Sequence, residues 1–354
     1  MTTYDGGSAS SRWIEWLRPF AVAAIVLFCG SQAIGGQTAP AAAKKTASWT
    51  VPRTADGQPD LQGVWNYGTE TPLQRPDELA GKERLTPEEA AKFQEQMAER
   101  RKARQNGKPS RYSGEVFDDV LAKADWTKRT SLITDPKDGK IPPSTPLAEK
   151  RRADRAGLLA NPDGPEDTGL ADRCILGWST GPPIIPGNQS NVLQLFQSRD
   201  HFVIYTEMIH DARIVPLDDR QPAGSTIHEY SGVSRGRWEK DTLVVETANF
   251  TRHGVATLTF VRTGGTDENM HLIERFTRTA ADTLLYEFTV TDPTTWTKPW
   301  SAAVTMLKTD EGVYEYACHE GNRSLESRLC GREVPFELPA HLAEHVLRLA
   351  EIGL

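Results

Sequence analysis

The sequence predicts a mainly β fold, an antiparallel β barrel or sandwich with peripheral helices. Three observations carry that reading. From Asn191 onward apolar residues recur at every second position, as in NVLQLFQ and HFVIYTEM, the period of strands with one buried face. The connections between these segments are short, whereas parallel strands need crossovers of a dozen residues or more. The chain also holds 28 Gly and 23 Pro among 354 residues, a composition that suits many turns better than a helical bundle.

Taken in order, Arg12 and Arg18 precede an apolar run from Phe20 to Cys29, and small residues at Ala33 and Gly35 follow. A run of about ten residues is short of the roughly 20 that a membrane-spanning helix needs. Residues 1–36 therefore read as a cleaved export signal, with a mature chain that begins near Gly36. An uncleaved anchor is the alternative, because Asp5 and Glu15 dilute the basic flank, and bulky Phe28 argues against lipidation at Cys29. Once the signal is removed, no stable membrane insertion is expected, and the protein is placed in the periplasm or secreted. Residues 37–50 (QTAPAAAKKTASWT) read as a linker.

A single β-domain spans 51–335 and opens at DLQGVWNYG, where Leu61, Val64 and Trp65 begin a strand. A helical insertion follows at about 68–170. Its first helix starts at the capping box Thr86-Pro87-Glu88-Glu89 and runs to about Arg104. TSLITDPKDGKIPP reads as a hairpin turning at Pro136–Gly139, and a charged helix covers Leu147–Leu159. Beyond Asn191, ARIVPL, the hairpin RGRWEKDTLVVET, TLTFVR, MHLIERFTRT, TLLYEFTV, AAVTMLK and VYEYAC continue the alternation. At least seven antiparallel strands are expected within 191–318 on one core, with the 86–104 helix outside it. Residues 336–354 hold AHLAEHVLRLAEIG, an amphipathic helix with Leu342, Val346 and Leu349 on one face.

Composition narrows the function. A net charge of -7 does not suit a nucleic-acid partner, which calls for a concentrated basic surface. There is no phosphate-binding loop and no dinucleotide fingerprint, and neither Ser179 nor Ser234 sits in a G-x-S-x-G elbow. Without the leader, Cys174, Cys318 and Cys330 remain. An exported chain permits a Cys174–Cys318 or a Cys318–Cys330 disulfide, and three buried thiols are an equal alternative.

RTSLITDPKDGKIPP, RCILG, HDARIVPLD, SRGRWEKDTLVVETANF, ERFTR, DPTTWTKPW and YEYACHEGN together resemble a largely uncharacterised family of exported, β-rich bacterial proteins. The resemblance runs from about Trp49 to Asn322 and departs from the pattern at Trp178–Pro183 and in the Gly264-Gly265 loop. It implies export and the β fold, and brings no activity with it. Gly63 and Trp65 also look like the G-x-W that opens lipocalin barrels, so the general plan is lipocalin-like.

The chemically capable residues fall near strand ends. His210 could act as a general base, with Asp211 or Arg213 in a structural ion pair. Cys318-His319-Glu320-Gly321-Asn322 ends the last expected strand, and Gly321 would let the chain turn so that His319 or Glu320 joins His210 in one pocket. Glu274 falls either on the apolar face with Leu284, Tyr286 and Phe288, as a general acid, or one register away as an exposed carboxylate; an Arg-paired carboxylate is the structural alternative. No metal is assigned, because the His-Glu pair lacks a second histidine one helical turn away. Trp238, Tyr286, Trp296, Trp300 and Arg213 are the ligand-contact candidates, and the rigid DPTTWTKPW loop reads as either a lid or a barrel cap.

Two functions follow from these residues. One is an exported lyase, isomerase or hydrolase in which His210, His319, Glu320 and Glu274 perform acid/base chemistry on a small molecule. The other is a non-catalytic periplasmic binding protein for an apolar or aromatic ligand. No cofactor is specified by either.

Overall fold

The computed structural model describes residues 49–105, 128–177, 179–187, 190–218, 226–251 and 268–330. Its alternating segments form ten strands: β1 (Gly63–Asn66), β2 (Ile133–Asp135), β3 (Val192–Gln197), β4 (His201–Thr206), β5 (Ala212–Pro216), β6 (Val233–Glu239), β7 (Thr242–Ala248), β8 (His271–Ala280), β9 (Thr283–Thr291) and β10 (Trp300–Lys308). The described helices are α1 (Pro87–Gln105), α2 (Pro146–Ala160) and α3 (Ser324–Cys330).

Every ladder between these strands is antiparallel. Nine strands follow the order β5-β4-β3-β1-β10-β9-β8-β7-β6, so a sequential meander is closed by β1, which pairs with both β3 and β10. The two ends of that path, β5 and β6, pack side by side without a hydrogen-bonded ladder. The result is a nearly closed barrel with one seam. Eight of the strands lie within 192–308, and α1 contributes nothing to the shared core.

Strict alternation fixes the inner wall. Leu272, Glu274, Phe276 and Arg278 of β8 point inward, as do Leu284, Tyr286, Phe288 and Val290 of β9. Rings form a continuous series through this interior: Phe202–Phe276, Phe276–Tyr286, Tyr286–Phe288, Phe288–Trp300 and Trp300–Trp296, with centroids 4.9–5.7 Å apart. Such tilted and edge-on contacts add to the area each ring buries. Trp65 is fully buried; its indole N–H donates to the Leu61 carbonyl at 3.0 Å, and the Arg278 guanidinium lies over its ring at 5.7 Å. Arg278 also donates to the Asp60 carbonyl at 2.9 Å, which ties the entry of β1 to β8.

The capping box forms as expected, with Thr86 N donating to Glu89 Oε2 at 2.9 Å and Glu89 N to Thr86 Oγ1 at 3.3 Å. Thr145 caps α2 by accepting from Ala148 N at 3.1 Å.

Two expected strands do not form. TSLITDPKDGKIPP makes its turn, with Gly139 N donating to Pro136 O at 3.0 Å, but there is no returning strand. Pro142 and Pro143 have no N–H to give to a ladder, and β2 pairs with the start of β10 instead. VYEYAC is not a strand either. By that point both edges of β10 are taken, one by β9 and the other by β1 and β2 in tandem, so the chain has no free edge beside it. The export signal, the linker to Ser48, TLTFVR and the 336–354 helix lie outside the described residues.

The seam closes through a glycine. A Cβ on Gly236 of β6 would lie 2.5 Å from Leu217 Cδ2 and 3.1 Å from Val215 Cγ1, so side chains of β5 and of the residue after it occupy the space that a larger residue would need. Gly236→Val is expected to destabilise the barrel by about 1–3 kcal/mol, and Leu217→Ala in the same chain should recover part of that loss. Urea unfolding of the two single variants and the double variant measures both effects.

Candidate functional site

Three residues from three strands meet inside the barrel. Glu274 pairs with Phe288 of β9 and Val245 of β7, which sets its carboxylate on the inner face with no exposed surface. Tyr286 lies on the same face two residues before Phe288, and its hydroxyl donates to Glu274 Oε1 at 2.7 Å. Arg213 sits at the seam end of the sheet on β5. Its two terminal nitrogens grip Glu274 end-on, Nη1 to Oε2 at 2.8 Å and Nη2 to Oε1 at 2.9 Å. The series ends in the loop before β3, where the Ile184 amide donates to the Tyr286 hydroxyl at 2.9 Å.

This arrangement fixes the charge states. Burial disfavours the Arg213 cation, but the adjoining Glu274 carboxylate outweighs it and raises the guanidinium pKa. Burial, and then the charge of Glu274, pushes the Tyr286 phenol well above its usual range, so it stays a donor. Glu274 receives two guanidinium N–H groups and one phenol O–H, the geometry of an acceptor. Of the sequence alternatives for this carboxylate, the structure has the inward face together with the arginine partner. Arg213 keeps 10% of its side-chain surface exposed, and Glu274 engages two of its five N–H donors.

Trp238 of β6 faces inward across the seam from β5, half-buried against the core. Its indole N–H has no hydrogen-bond partner among the described residues. Trp296 and Trp300 are buried in the core rather than placed as an open lid or stacking wall, because they pack edge-on against each other and Trp300 against Phe288. That is the barrel-cap reading of DPTTWTKPW. Asp292 secures the loop by accepting from Thr294 N at 2.9 Å and Thr295 Oγ1 at 2.6 Å.

The histidines are elsewhere. His210 is exposed on the turn after β4 and hydrogen-bonds Tyr205. Ile209 and His210 both have positive φ, 64° and 60°, a region costly for a β-branched residue. His319 and Glu320 are exposed on a turn beyond β10, and no hydrogen bond or ion pair joins either to His210. Among the described residues, no group of three His, Cys, Asp or Glu is placed to hold a metal ion. Cys318 is not a free thiol: it forms a disulfide with Cys174.

Sequence reasoning missed one participant in this network and one half-buried carboxylate elsewhere. One is the Ile184 amide, held in place because the buried segment from Ser179 to Ile185 packs into the barrel; only the paired apolar residues after Pro182-Pro183 signal it. The other is Glu207, half-buried after β4, where burial raises its carboxyl pKa and Tyr314 N donates to it at 3.3 Å.

No family model and no curated protein matches this chain. Among solved structures, a secretary abundant heat soluble (SAHS) protein from Ramazzottius varieornatus is similar over 40% of this chain and 87% of its own, at 12% identity and a TM-score of 0.23. A likeness of that size says nothing about function.

Two outcomes follow from the network. Glu274→Leu leaves a buried guanidinium unpaired and is expected to cost about 3–5 kcal/mol, whereas Arg213→Met with Glu274→Leu should fall close to the parent stability; chemical denaturation of the cycle tests this. The buried phenols of Tyr67 and Tyr286 both have raised pKa values. Their contribution is fully present below the ordinary phenol value near 10 and lost as pH rises through the folded values. The melting temperature should therefore fall above about pH 10, and fall less steeply in Tyr67→Phe/Tyr286→Phe.

Proposed function

We propose that this chain is an exported, lipocalin-like barrel that binds a small amphipathic or aromatic molecule at the β5–β6 seam without transforming it. The observation that carries this reading is the Arg213–Glu274 pair. A buried ion pair contributes little net stability once both charges have been stripped of water, so its retention in an aromatic interior points to a role beyond packing. Arg213 is the member that still reaches solvent, and it stands on β5, which packs beside the strand that carries Trp238. A ligand with an acceptor oxygen would take N–H donors of Arg213 that Glu274 does not engage. Its apolar body would lie against Trp238, the pattern of a mostly apolar site with few orienting polar groups.

Export is supported by the Cys174–Cys318 disulfide, since such bonds persist in oxidising compartments. The lipocalin-like plan is supported by the sequential meander closed by the Gly63–Trp65 strand. Acid/base catalysis has less behind it. His210, His319 and Glu320 are exposed, while Glu274 is enclosed by three donors and Tyr286 holds its proton.

The test uses 1-anilinonaphthalene-8-sulfonate, whose sulfonate suits Arg213 and whose rings suit Trp238. Saturable binding of about one equivalent to protein with native near-ultraviolet dichroism is expected. The charge-balanced variant Arg213→Met/Glu274→Leu should bind at least about tenfold more weakly, the scale of one charge-assisted hydrogen bond. Absence of saturable binding, or equal affinity in that variant, would sink the reading.

A further inference from the structure

Past β10 the chain leaves the sheet but stays on the molecule. Thr309 N donates to the Val64 carbonyl at 3.0 Å, Tyr314 N donates to Glu207 Oε2 at 3.3 Å, and Cys318 then joins Cys174. Asn322 Nδ2 donates to the Asp172 carbonyl at 3.1 Å, and Arg328 of α3 pairs with the Asp172 carboxylate at 3.0 Å. What this stretch lacks is a buried side chain: every residue from Thr309 to Leu329 is exposed or half-buried. Among the described residues, the core cluster likewise reaches no further along the chain than Met306.

We propose that the Cys174–Cys318 disulfide is a redox latch. It holds residues 310–329 as a strap over Glu207 at the barrel rim, and its reduction by a dithiol frees the strap while the barrel stays folded. Ordering a segment of this length costs backbone entropy at every residue. Surface hydrogen bonds and an exposed ion pair, each exchanged for contacts with water, return little of that cost. The seven residues of α3 are too few to hold as a helix by themselves. The disulfide supplies the difference by joining residues 144 apart in sequence, so the strap is ordered only while the bond is intact. The barrel has its ladders and its core, and neither includes the strap.

The two ends of the bond are unequal. Cys174 is 8% exposed and stands between the buried Leu170 and Leu176. Its segment is packed against the turn after β4, where a Cβ on Gly177 would fall 2.3 Å from Met208 Cγ. Cys318 is half-buried on the strap, which makes it the sulfur within reach and the half that departs. A thiolate of the reductant attacks Cys318 Sγ, and the S–S bond breaks with its electron pair on Cys174 Sγ. Asn322 Nδ2 donates to that sulfur at 3.1 Å and steadies the thiolate until it takes a proton. The second thiol of the reductant then displaces Cys318. The reductant ends as a disulfide, and both protein sulfurs end as thiols. Opening uncovers Glu207, the residue that begins the turn leading into β5.

The experiment uses the full-length chain with Cys29→Ser and Cys330→Ser, which leaves Cys174 and Cys318 as its cysteines. Hydrogen exchange read by mass spectrometry is compared with and without dithiothreitol, complete reduction being verified by thiol titration. Amides of 310–329 are expected to exchange at least about tenfold faster after reduction, while those of β8 and β9 keep their protection. Carbodiimide labelling of the Glu207 carboxyl should rise at least about threefold in the same samples. Cys174→Ser/Cys318→Ser in that background should show the released pattern without reductant and should not respond to it. A strap that stays protected after complete reduction overturns the latch. Loss of β8 and β9 protection in the same step also overturns it, because the bond would then brace the barrel itself.

Discussion

The ion pair between Arg213 and Glu274 spans the interior from the seam strand β5 to β8 on the far side of β6 and β7. The meander supplies hydrogen bonds along the whole path except between its two ends, so closure at the seam must come from side chains. Leu217 and Val215 fill the space at Gly236, and Arg213 reaches inward to a carboxylate that two other strands hold in place. The cost of this solution is that two full charges are buried, and it is met by pairing them end-on and adding the Tyr286 hydroxyl and, behind it, the Ile184 amide. The barrel wall, the loop before β3 and the candidate site therefore share one hydrogen-bonded series.

Much of this was legible in the sequence because alternation with period two is a local signal. The hairpins β6–β7 and β8–β9 each lie within about twenty residues, and most of their inward positions are apolar in the sequence. Glu274 illustrates the limit. Its face depends on the register across the turn at Ala280–Asp282, where the ladder shifts between Arg278 and Ala280, and a shift of one residue would have turned it to solvent. Its partner Arg213 lies on β5, across the open seam and two intervening strands from β8, a proximity that only closure of the barrel creates.

The residues that looked most chemical, His210, His319 and Cys318, were misleading for physical reasons. Their spacing suggested strand ends converging on a pocket. In the structure His210 sits on a turn with two successive positive φ values, and the segment carrying Cys318 and His319 has no edge to join. The disulfide accounts for Cys318. The two tryptophans of DPTTWTKPW fell inside the core because the loop is tightened by Asp292 and because Phe288 offers a ring to Trp300.

The pairing of β1 with β10 sets the order in which the molecule can assemble. Trp65 lies opposite Lys308, so an early strand gains its second neighbour only after nearly all the described chain has been made. The hairpins from β3 to β10 can form from local contacts as they appear, but the cylinder stays open along β1 until the end, with the indole of Trp65 awaiting the wall that carries Arg278. A nascent chain halted before β10 would present a bare strand edge and an apolar inner face to its surroundings. Premature truncation should thus lead to aggregation rather than to a smaller soluble domain.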